Sequence, residues 1–231
     1  GLYFDVTGKN RKGRESAEAL AAKMDIPFIF KDVSKQFEEL IISNFCSEYT
    51  KGRTPNPCVI CNPLVKFRVL ADAASDIGAY YIATGHYVRV FHNEITEKSY
   101  IMPGVNEKKD QSYMLYRLSQ DIVKRLITPL GEIKDKEDVR TFLRERSIPN
   151  AEESESMEIC FIDNNTDYTD YIESRGIQIQ KGNFVDAEGN VLGVHQGIVN
   201  YTIGQRKGLG IALGKPAFVT AIDAEKNTVT L

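Results

Sequence analysis

The sequence is poor in cysteine, contains no long apolar run and carries no excess of positive charge. Its 231 residues include four cysteines, without the dense, regular spacing of a small secreted scaffold. Such usage is typical of a reducing compartment, where thiols do chemistry or bind metals. No apolar stretch approaches the roughly 20 residues that a membrane helix needs, and no signal-peptide pattern is present. We therefore expect a cytoplasmic protein.

The charge balance leaves the class of partner open. The formal net charge is −3 and the pI is about 5.8, so no global positive field indicates a nucleic-acid partner. Local patches can still contact phosphates. Hydrophobic residues make up 42% of the chain and charged residues 26%, which predicts a folded protein of one large domain or two smaller ones.

The order of the predicted elements indicates an α/β fold. The apolar runs at residues 2–6, 27–33 and 80–83 predict strands, and the helical periodicities between them lie at residues 15–23, 34–52 and 64–78. This alternation predicts a parallel sheet with helices on both faces. Ligands bind beyond the carboxyl ends of such strands, and Gly85 and His86 follow one of these ends.

The second half of the sequence mixes short strands with helices. Residues 87–92 and 99–103 predict a hairpin, and residues 111–127 predict one amphipathic helix. Pro129 and Gly131 end that pattern and open a second region. The later features are a helix near 136–146, an acidic stretch at 152–155, an apolar run at 159–162, a turn at 186–190 between two strands, and a hairpin at 218–231.

Residues 54–63 concentrate three prolines and two cysteines in one loop. Asn62 followed by Pro63 predicts a helix start, with Cys61 directly before the cap, where the positive end of the helix favours a thiolate. Lys66 and Arg68 would strengthen that effect if they face the loop. A zinc site, a redox pair and two inert buried cysteines remain alternatives, although zinc would need a second cysteine pair that the sequence lacks.

Other candidate residues are ambiguous when each is taken alone. His86 is either a capping or core histidine or a functional one. Residues 108–112 form a charged loop that is either solvated surface or a contact for a polynucleotide. Cys160 lies in an apolar run, which is typical of a buried thiol. The glycine-rich residues 201–210 match no phosphate-binding loop.

Five motifs together resemble one family, the tRNA-specific 2-thiouridylases. They are Gly52-Arg53-Thr54-Pro55-Asn56-Pro57-Cys58 with Cys61-Asn62 and Lys66-Phe67, Ala83-Thr84-Gly85-His86-Tyr87, Lys109-Asp110-Gln111-Ser112-Tyr113, Glu158-Ile159-Cys160-Phe161-Ile162, and residues 201–210. Their order and spacing cover nearly the whole chain.

The resemblance implies a PP-loop ATPase that uses ATP with Mg²⁺ to activate the wobble uridine of lysine, glutamine and glutamate tRNAs for 2-thiolation. By motif, Cys160 matches the cysteine that carries the persulfide, and Cys61 matches the nucleophile, with a transient disulfide between the two. Gly85 and Phe4 correspond to ATP contacts. The positions that correspond to tRNA or target-base contacts are Asn56, Pro57, Cys58, His86, Lys109, Asp110 and Gln111. A persulfide donor or relay protein is an implied partner, and no metal site or membrane contact is expected.

The same resemblance implies three domains. Residues 1–128 correspond to a catalytic adenylation domain, residues 129–212 to a small α+β central domain that binds tRNA, and residues 213–231 to the start of a β-barrel. The signature Ser-Gly-Gly-x-Asp-Ser loop that binds pyrophosphate does not occur in the sequence. We expect it to precede Gly1, so the chain as written is expected not to adenylate its substrate.

Two readings from other classes stay open. The first is a zinc-stabilised RNA-binding module that uses Cys58 and Cys61. The second is a thiol-disulfide oxidoreductase in which the same two cysteines form a reversible bond.

Overall fold

The structure is a computed structural model that describes residues 1–148, 159–163, 166–214 and 216–231. These residues form two compact units. The first unit comprises residues 1–41 and 58–148, and the second comprises residues 42–57 and the described residues from 159 onward. The acidic stretch predicted at residues 152–155 lies outside the described residues.

The first unit begins with the predicted parallel strand pair. Strand β1 (Leu2–Asp5) pairs in parallel with β2 (Ile29–Asp32), and helix α1 (Arg11–Lys23) connects them. The side chain of Asn10 caps α1 by accepting a hydrogen bond from the Gly13 amide (2.9 Å). The strand, helix and strand pattern of the sequence is confirmed here.

One long helical run follows β2. It consists of α2 (Ser34–Phe37), a π-helical turn (Glu38–Ile42) and α3 (Ser43–Thr50), and it ends before Gly52, which has a φ of +71°. Serine is a favoured N-cap residue, which makes Ser34 a candidate cap for this helix, but the structure does not place it there. Ser34 is the first helical residue, and its amide donates to Oδ1 of Asp32 (2.9 Å), so the cap-like contact comes from the preceding aspartate.

A second helical run carries the cysteine motif. It consists of α4 (Pro57–Cys61), a π-helical turn (Asn62–Lys66) and α5 (Phe67–Asp76). It leads to strand β3 (Ile82–Ala83). The predicted strand at residues 80–83 is therefore shorter than expected, and Tyr80 and Tyr81, which precede it, are both exposed.

The parallel partner of β3 comes from a segment that the sequence predicted to be helical. Residues 111–127 fold as a 3₁₀ turn (Ser112–Met114), a short helix α6 (Gln120–Val123) and strand β6 (Leu126–Ile127). Strand β6 pairs in parallel with β3. The single amphipathic helix is wrong, although its apolar stripe does enter the core with Leu115, Leu118 and Leu126.

The predicted sheet is thus divided. Among the described residues, β1 pairs only with β2 and β3 pairs only with β6. Parallel pairing is confirmed, whereas one continuous sheet is not found. Strand β3 is short because Arg125 donates to the carbonyls of Tyr80 (2.7 Å) and Ala79 (3.3 Å), which ties that segment to a side chain instead of a strand partner.

The remaining elements of the first unit agree with the sequence. Strands β4 (Val88–Asn93) and β5 (Lys98–Pro103) form the predicted antiparallel hairpin. A 3₁₀ turn (Pro129–Glu132) follows, and helix α7 (Lys136–Glu145) begins after Asp135, whose side chain accepts the Glu137 amide (2.9 Å). The core of this unit is built from α5, β3, β4, β6 and residues 115–123.

The second unit contains helix α8 (Tyr168–Ser174) and a four-stranded sheet. Its strands are β7 (Gly182–Val185), β8 (Val191–His195), β9 (Ala221–Asp223) and β10 (Thr228–Thr230), in the order β8-β7-β10-β9. Both predicted hairpins of this region are confirmed. Phe184, Tyr201 and Val229 form the centre of its core. None of the helices in the described part of the chain is both long and apolar enough for a membrane span.

Candidate functional site

The cysteine loop does not start its helix where the sequence predicts. Helix α4 begins at Pro57, so Cys58 lies in its first turn and Cys61 is its last residue. The sequence contains two Asn-Pro pairs, 56–57 and 62–63, and the first of them begins the helix. The predicted placement of Cys61 directly before a helix cap is therefore wrong, and with it the argument for a thiolate from the positive helix end.

Pro63 lies inside the helical run, where it changes the hydrogen-bond pattern. Proline has no amide hydrogen, so it cannot continue the regular α-helical ladder. The run accommodates it with a π-helical turn, in which the Phe67 amide donates to the Asn62 carbonyl. Turns of this kind occur frequently at functional sites. This turn places Asn62 and Val65 in the interior and leaves Leu64 exposed.

The four cysteines differ in exposure. Cys61 is 3% exposed and Cys46 is 7% exposed, whereas Cys58 is half-buried and Cys160 is exposed. All four lie within the described residues, and none of them forms a disulfide. The disulfide between Cys61 and Cys160 that the family resemblance implies is therefore not present in this structure. A group of three or more potential metal ligands is not found among the described residues either.

Cys160 is held on a tight turn in the second unit. The Ile162 amide donates to the Ile159 carbonyl (3.0 Å), which closes the turn. Phe161 anchors it, with ring centroids 5.3 Å from Phe45 and 5.5 Å from Tyr171. The burial that the apolar run predicts for Cys160 is wrong. The thiol is exposed, whereas Ile159 and Phe161 are half-buried and Ile162 is buried.

Asn62 connects the cysteine helix to the loop at residues 109–111. Its side chain is 1% exposed, and its Nδ2 donates to the Met114 carbonyl (3.1 Å). The Met114 amide in turn donates to the Gln111 carbonyl (3.0 Å). Among the described residues, Oδ1 of Asn62 has no hydrogen-bond partner, so the residue next to Cys61 offers a buried acceptor. Sequence reasoning assigned Asn62 only a capping role.

The loop at residues 109–111 is fixed to the segment that carries His86. The Gln111 amide donates to the Tyr87 carbonyl (3.1 Å), and the Tyr87 amide donates to Oε1 of Gln111 (3.0 Å). Asp110 organises the loop itself, because it accepts hydrogen bonds from the Gly104 amide (2.9 Å) and the Ser112 hydroxyl (2.6 Å). Burial opposes ionisation of Asp110, but these donors outweigh it and hold the pKa of that carboxyl below its usual value.

The His86 ring packs against Phe67 and makes a polar contact with Thr84. The two ring centroids lie 5.6 Å apart, and Nδ1 of His86 is 2.7 Å from the Thr84 hydroxyl. Burial, and secondarily the positive charge of Lys66, lowers the pKa of His86 to about 4. His86 is therefore neutral at physiological pH, and it can exchange hydrogen bonds without carrying a charge.

The structure brings together one group of the sequence-predicted residues. In the first unit, hydrogen bonds join Asn62, Met114, Gln111 and Tyr87, and so connect the chain segments that carry Cys61, residues 109–111 and His86. Gly85 adjoins this network at the end of β3. Phe4 lies on β1, in the other parallel pair. Asn56, Pro57 and Cys160 belong to the second unit.

Removal of the Asn62 side-chain amide is expected to weaken this network. Asn62→Ala leaves the Met114 carbonyl without its partner, and we expect a loss of about 1–3 kcal/mol in the free energy of unfolding, measured with urea. Asn183→Ala is the matched control, because Asn183 is exposed, and its effect should stay within about 0.5 kcal/mol. Equal stability of the two variants would contradict a structural role for this hydrogen bond.

Protonation of His86 is expected to destabilise the first unit. Because its folded-state pKa of about 4 lies below the unfolded value, the unfolded state binds the proton first. Its contribution is fully present above about pH 6.5 and is lost as the pH falls toward 4, by at most about 3 kcal/mol. His86→Gln should flatten the stability profile over this range in urea titrations. A variant profile parallel to that of the wild type would contradict the shifted pKa.

Two protein-family models match almost the whole chain. The model for the tRNA methyl transferase HUP domain matches residues 6–164, and the model for the tRNA methyl transferase PRC-barrel domain matches residues 169–231. The chain belongs to the tRNA methyl transferase HUP domain family. Its first unit is thus a HUP-type α/β unit, and the four-stranded sheet lies within the PRC-barrel match.

The names of the curated relatives describe 2-thiouridylases, whereas the family description names a methyl transferase. The tRNA-specific 2-thiouridylase MnmA of Carboxydothermus hydrogenoformans is 47% identical over 93% of this chain and 59% of its own length. MnmA 3 of Bacteroides fragilis is 48% identical over 94% of this chain and 60% of its own length. MnmA 2 of Clostridium botulinum is 42% identical over 100% of this chain and 66% of its own length. The chain therefore spans about 60% of the length of the curated relatives it matches.

Proposed function

We propose that the full-length protein is an ATP-dependent tRNA 2-thiouridylase. Its substrates are the tRNAs for lysine, glutamine and glutamate, in which sulfur replaces oxygen 2 of the wobble uridine. The observation that carries the proposal is the network in the first unit, which links the helix of Cys61 to residues 109–111 and to the segment that contains His86 and Tyr87. The similarity to proteins named as 2-thiouridylases supports the same reaction.

The two cysteines have different tasks in the proposed reaction. Cys160 carries a persulfide, and its exposure on a tight turn suits a group that a donor protein must load. The terminal sulfur attacks carbon 2 of the activated uridine, and AMP leaves with the original oxygen. The Cys61 thiolate then attacks Sγ of Cys160. This attack breaks the bond between Sγ of Cys160 and the transferred sulfur, which stays on the tRNA, and it forms a disulfide between Cys61 and Cys160. An external thiol must reduce that disulfide before the next turnover.

ATP supplies the adenylyl group that turns oxygen 2 of the uridine into a leaving group. Gly85 and Phe4 are the residues we propose to contact it. Among the described residues, a Cβ added to Gly85 would meet only Leu130 Cδ1, at 3.6 Å, which is an ordinary contact. The packing of the chain therefore does not require glycine at this position, and the exposed backbone leaves room for a ligand. We assign no residue to the Mg²⁺ ion that accompanies ATP.

The proposed RNA contacts are Asn56, Pro57, Cys58, His86, Lys109, Asp110 and Gln111. A base that reacts on an enzyme must leave its stack, and a neutral His86 can donate or accept a hydrogen bond at the edge of such a base. The division into a catalytic domain at 1–128, a central domain at 129–212 and a β-barrel from 213 stays a prediction. A tRNA-modifying enzyme works where tRNA is present, so a cytoplasmic location is part of the proposal.

The decisive experiment is a thiolation assay with the full-length protein. Unmodified tRNA for glutamate, ATP and a persulfide donor are combined, and the nucleosides are analysed by mass spectrometry. We expect 2-thiouridine, dependent on ATP and absent when cytidine replaces the wobble uridine. The matching family carries methyl transferase in its description, so a methylated nucleoside in place of 2-thiouridine would contradict the proposal.

A further inference from the structure

A cleft lined by three tyrosines lies beside the loop at residues 109–111 and has no role in the network described above. It has a volume of about 520 Å³, which is within the range of small-molecule and nucleotide sites. Strand β5 forms one wall, and residues 112–118 form the other. Tyr100, Tyr113 and Tyr116 line it, and they are 45%, 52% and 69% exposed.

The cleft is built on a fixed frame. Gln120 joins the start of α6 to strand β5. Its Oε1 accepts the Ser99 amide (2.9 Å), and its Nε2 donates to the Ser99 carbonyl (2.8 Å). Leu115, which is fully buried, forms part of the floor. The Tyr100 ring stacks on Phe91, with centroids 6.5 Å apart and planes 28° apart. The Tyr100 ring is therefore held by contacts within the protein before any ligand binds.

We propose that this cleft holds an unpaired nucleotide of the RNA substrate other than the nucleotide that reacts. The inference rests on the proposed function and extends it to a second binding position. Successive bases of a single strand stack on aromatic side chains without a sequence requirement, and each stacked base contributes about 1–3 kcal/mol. Ser112, which lines the cleft, directly follows the proposed RNA contacts at residues 109–111.

The charges around the cleft indicate how such a nucleotide would be held. Lys98, Lys108, Lys109 and Arg117 flank the tyrosines in sequence, against the exposed carboxylates of Glu97, Glu107 and Asp121. The carboxylate of Asp110 is turned toward its own loop. The residues that line the cleft carry no charge, and their sequence neighbours nearly balance, with four positive side chains against three negative ones. Stacking therefore supplies most of the affinity in this proposal. A stacking site depends little on salt, whereas a phosphate site weakens steeply as salt rises.

The test measures the affinity of the full-length protein for an unmodified tRNA transcript. We expect Tyr113→Ala and Tyr116→Ala each to weaken binding about 5- to 100-fold, and Tyr113→Phe to stay within about 2-fold of the wild type, because the ring is retained. These ratios should be the same at low and at moderate salt, whereas the effect of Lys108→Ala should shrink as salt rises. Tyr81→Ala is the control, since Tyr81 is 63% exposed in the same unit but outside the cleft.

Wild-type affinity in both tyrosine-to-alanine variants would overturn the inference and would leave the cleft to another occupant, such as a protein segment. If those variants do not fold, photocrosslinking of the wild type to tRNA with 5-iodouridine in the anticodon loop decides instead. A crosslink at Tyr100, Tyr113 or Tyr116 supports the cleft, and crosslinks confined to other residues overturn it. If the wild type thiolates tRNA and the tyrosine variants bind tRNA normally, only the proposal for the cleft is refuted. A wild type that does not bind tRNA refutes the proposed function as well.

Discussion

Replacement of Cys61 or Cys160 by serine in the full-length protein is expected to reduce sulfur transfer to tRNA by at least about 1000-fold. A serine hydroxyl neither carries a persulfide nor attacks one at neutral pH. The two variants should fail at different stages. Cys61→Ser keeps the cysteine that accepts sulfur from the donor, so a radioactive persulfide label should accumulate on Cys160. Cys160→Ser should show no label at all.

Adenylation provides the internal reference for both variants. The activation of uridine precedes any cysteine chemistry, so pyrophosphate release that depends on tRNA should persist in Cys61→Ser and Cys160→Ser. Cys46→Ala is the matched control. Cys46 is buried in the second unit and has no role in the proposed reaction, so its variant should retain sulfur transfer once its folding has been verified. Wild-type transfer in either the Cys61 or the Cys160 variant would contradict the assignment.

The structural positions of the two cysteines shape this prediction. Cys160 is exposed, so its replacement should leave the stability of the protein within about 0.5 kcal/mol. Cys61 is 3% exposed, so serine places a hydroxyl in a buried site and costs about 1–3 kcal/mol. Thermal unfolding of both variants separates loss of chemistry from loss of fold. An inactive Cys61→Ser protein that still releases pyrophosphate is folded well enough to bind tRNA and ATP.

Local turn chemistry made a large part of the fold predictable from sequence. The hairpin of β4 and β5 is marked by polar residues between alternating strands, and Asn93 stabilises its turn by accepting the amides of Ile95 and Thr96 (both 3.0 Å). Helix α7 is marked by Asp135 as its cap. In both cases the signal and the element lie within a few residues of each other. No long-range contact is needed to decide between alternatives.

The errors occur where a distant contact decides the local conformation. Residues 111–127 have the apolar spacing of a helix, but Gln120 binds the backbone of Ser99, and the Ile82 amide donates to the Arg125 carbonyl (2.9 Å). These contacts convert a helical pattern into a turn, a short helix and a strand. The start of the cysteine helix was misplaced for a related reason. Two Asn-Pro pairs carry the same local signal, and they differ in that Asn56 is exposed whereas Asn62 is buried and bonded to Met114.

The candidate site was predictable as a set of residues but not as an arrangement. The family resemblance selects Cys61, His86 and residues 109–111 from motifs that are far apart in sequence. It does not reveal that Asn62 and Tyr87 connect them, because both were assigned to other roles or to none. It also did not indicate the exposure of Cys160, since an apolar run normally predicts burial.

Gly131→Ala is expected to have the largest effect on stability of the substitutions we consider. A Cβ at this position would lie 1.9 Å from the Val88 carbonyl oxygen and 2.6 Å from its carbon. Both are backbone atoms of β4, so relief requires a shift of the hairpin or of the 3₁₀ turn at Pro129–Glu132. The shift would also strain the hydrogen bond from the Val105 amide to the Gly131 carbonyl (2.9 Å). We expect a loss of about 3 kcal/mol or more in the free energy of unfolding.

Gly85→Ala is the matched substitution, because the two glycines differ in what surrounds them. The added methyl at Gly85 meets one flexible leucine side chain at an ordinary contact distance, so stability should change by about 0.5 kcal/mol or less. If Gly85 faces ATP, the same methyl should weaken ATP binding by about 10- to 100-fold. A stable Gly85→Ala protein with normal ATP affinity would remove Gly85 from the proposed site. A stable Gly131→Ala protein would contradict the steric argument, because it would show that the hairpin can move away from the turn.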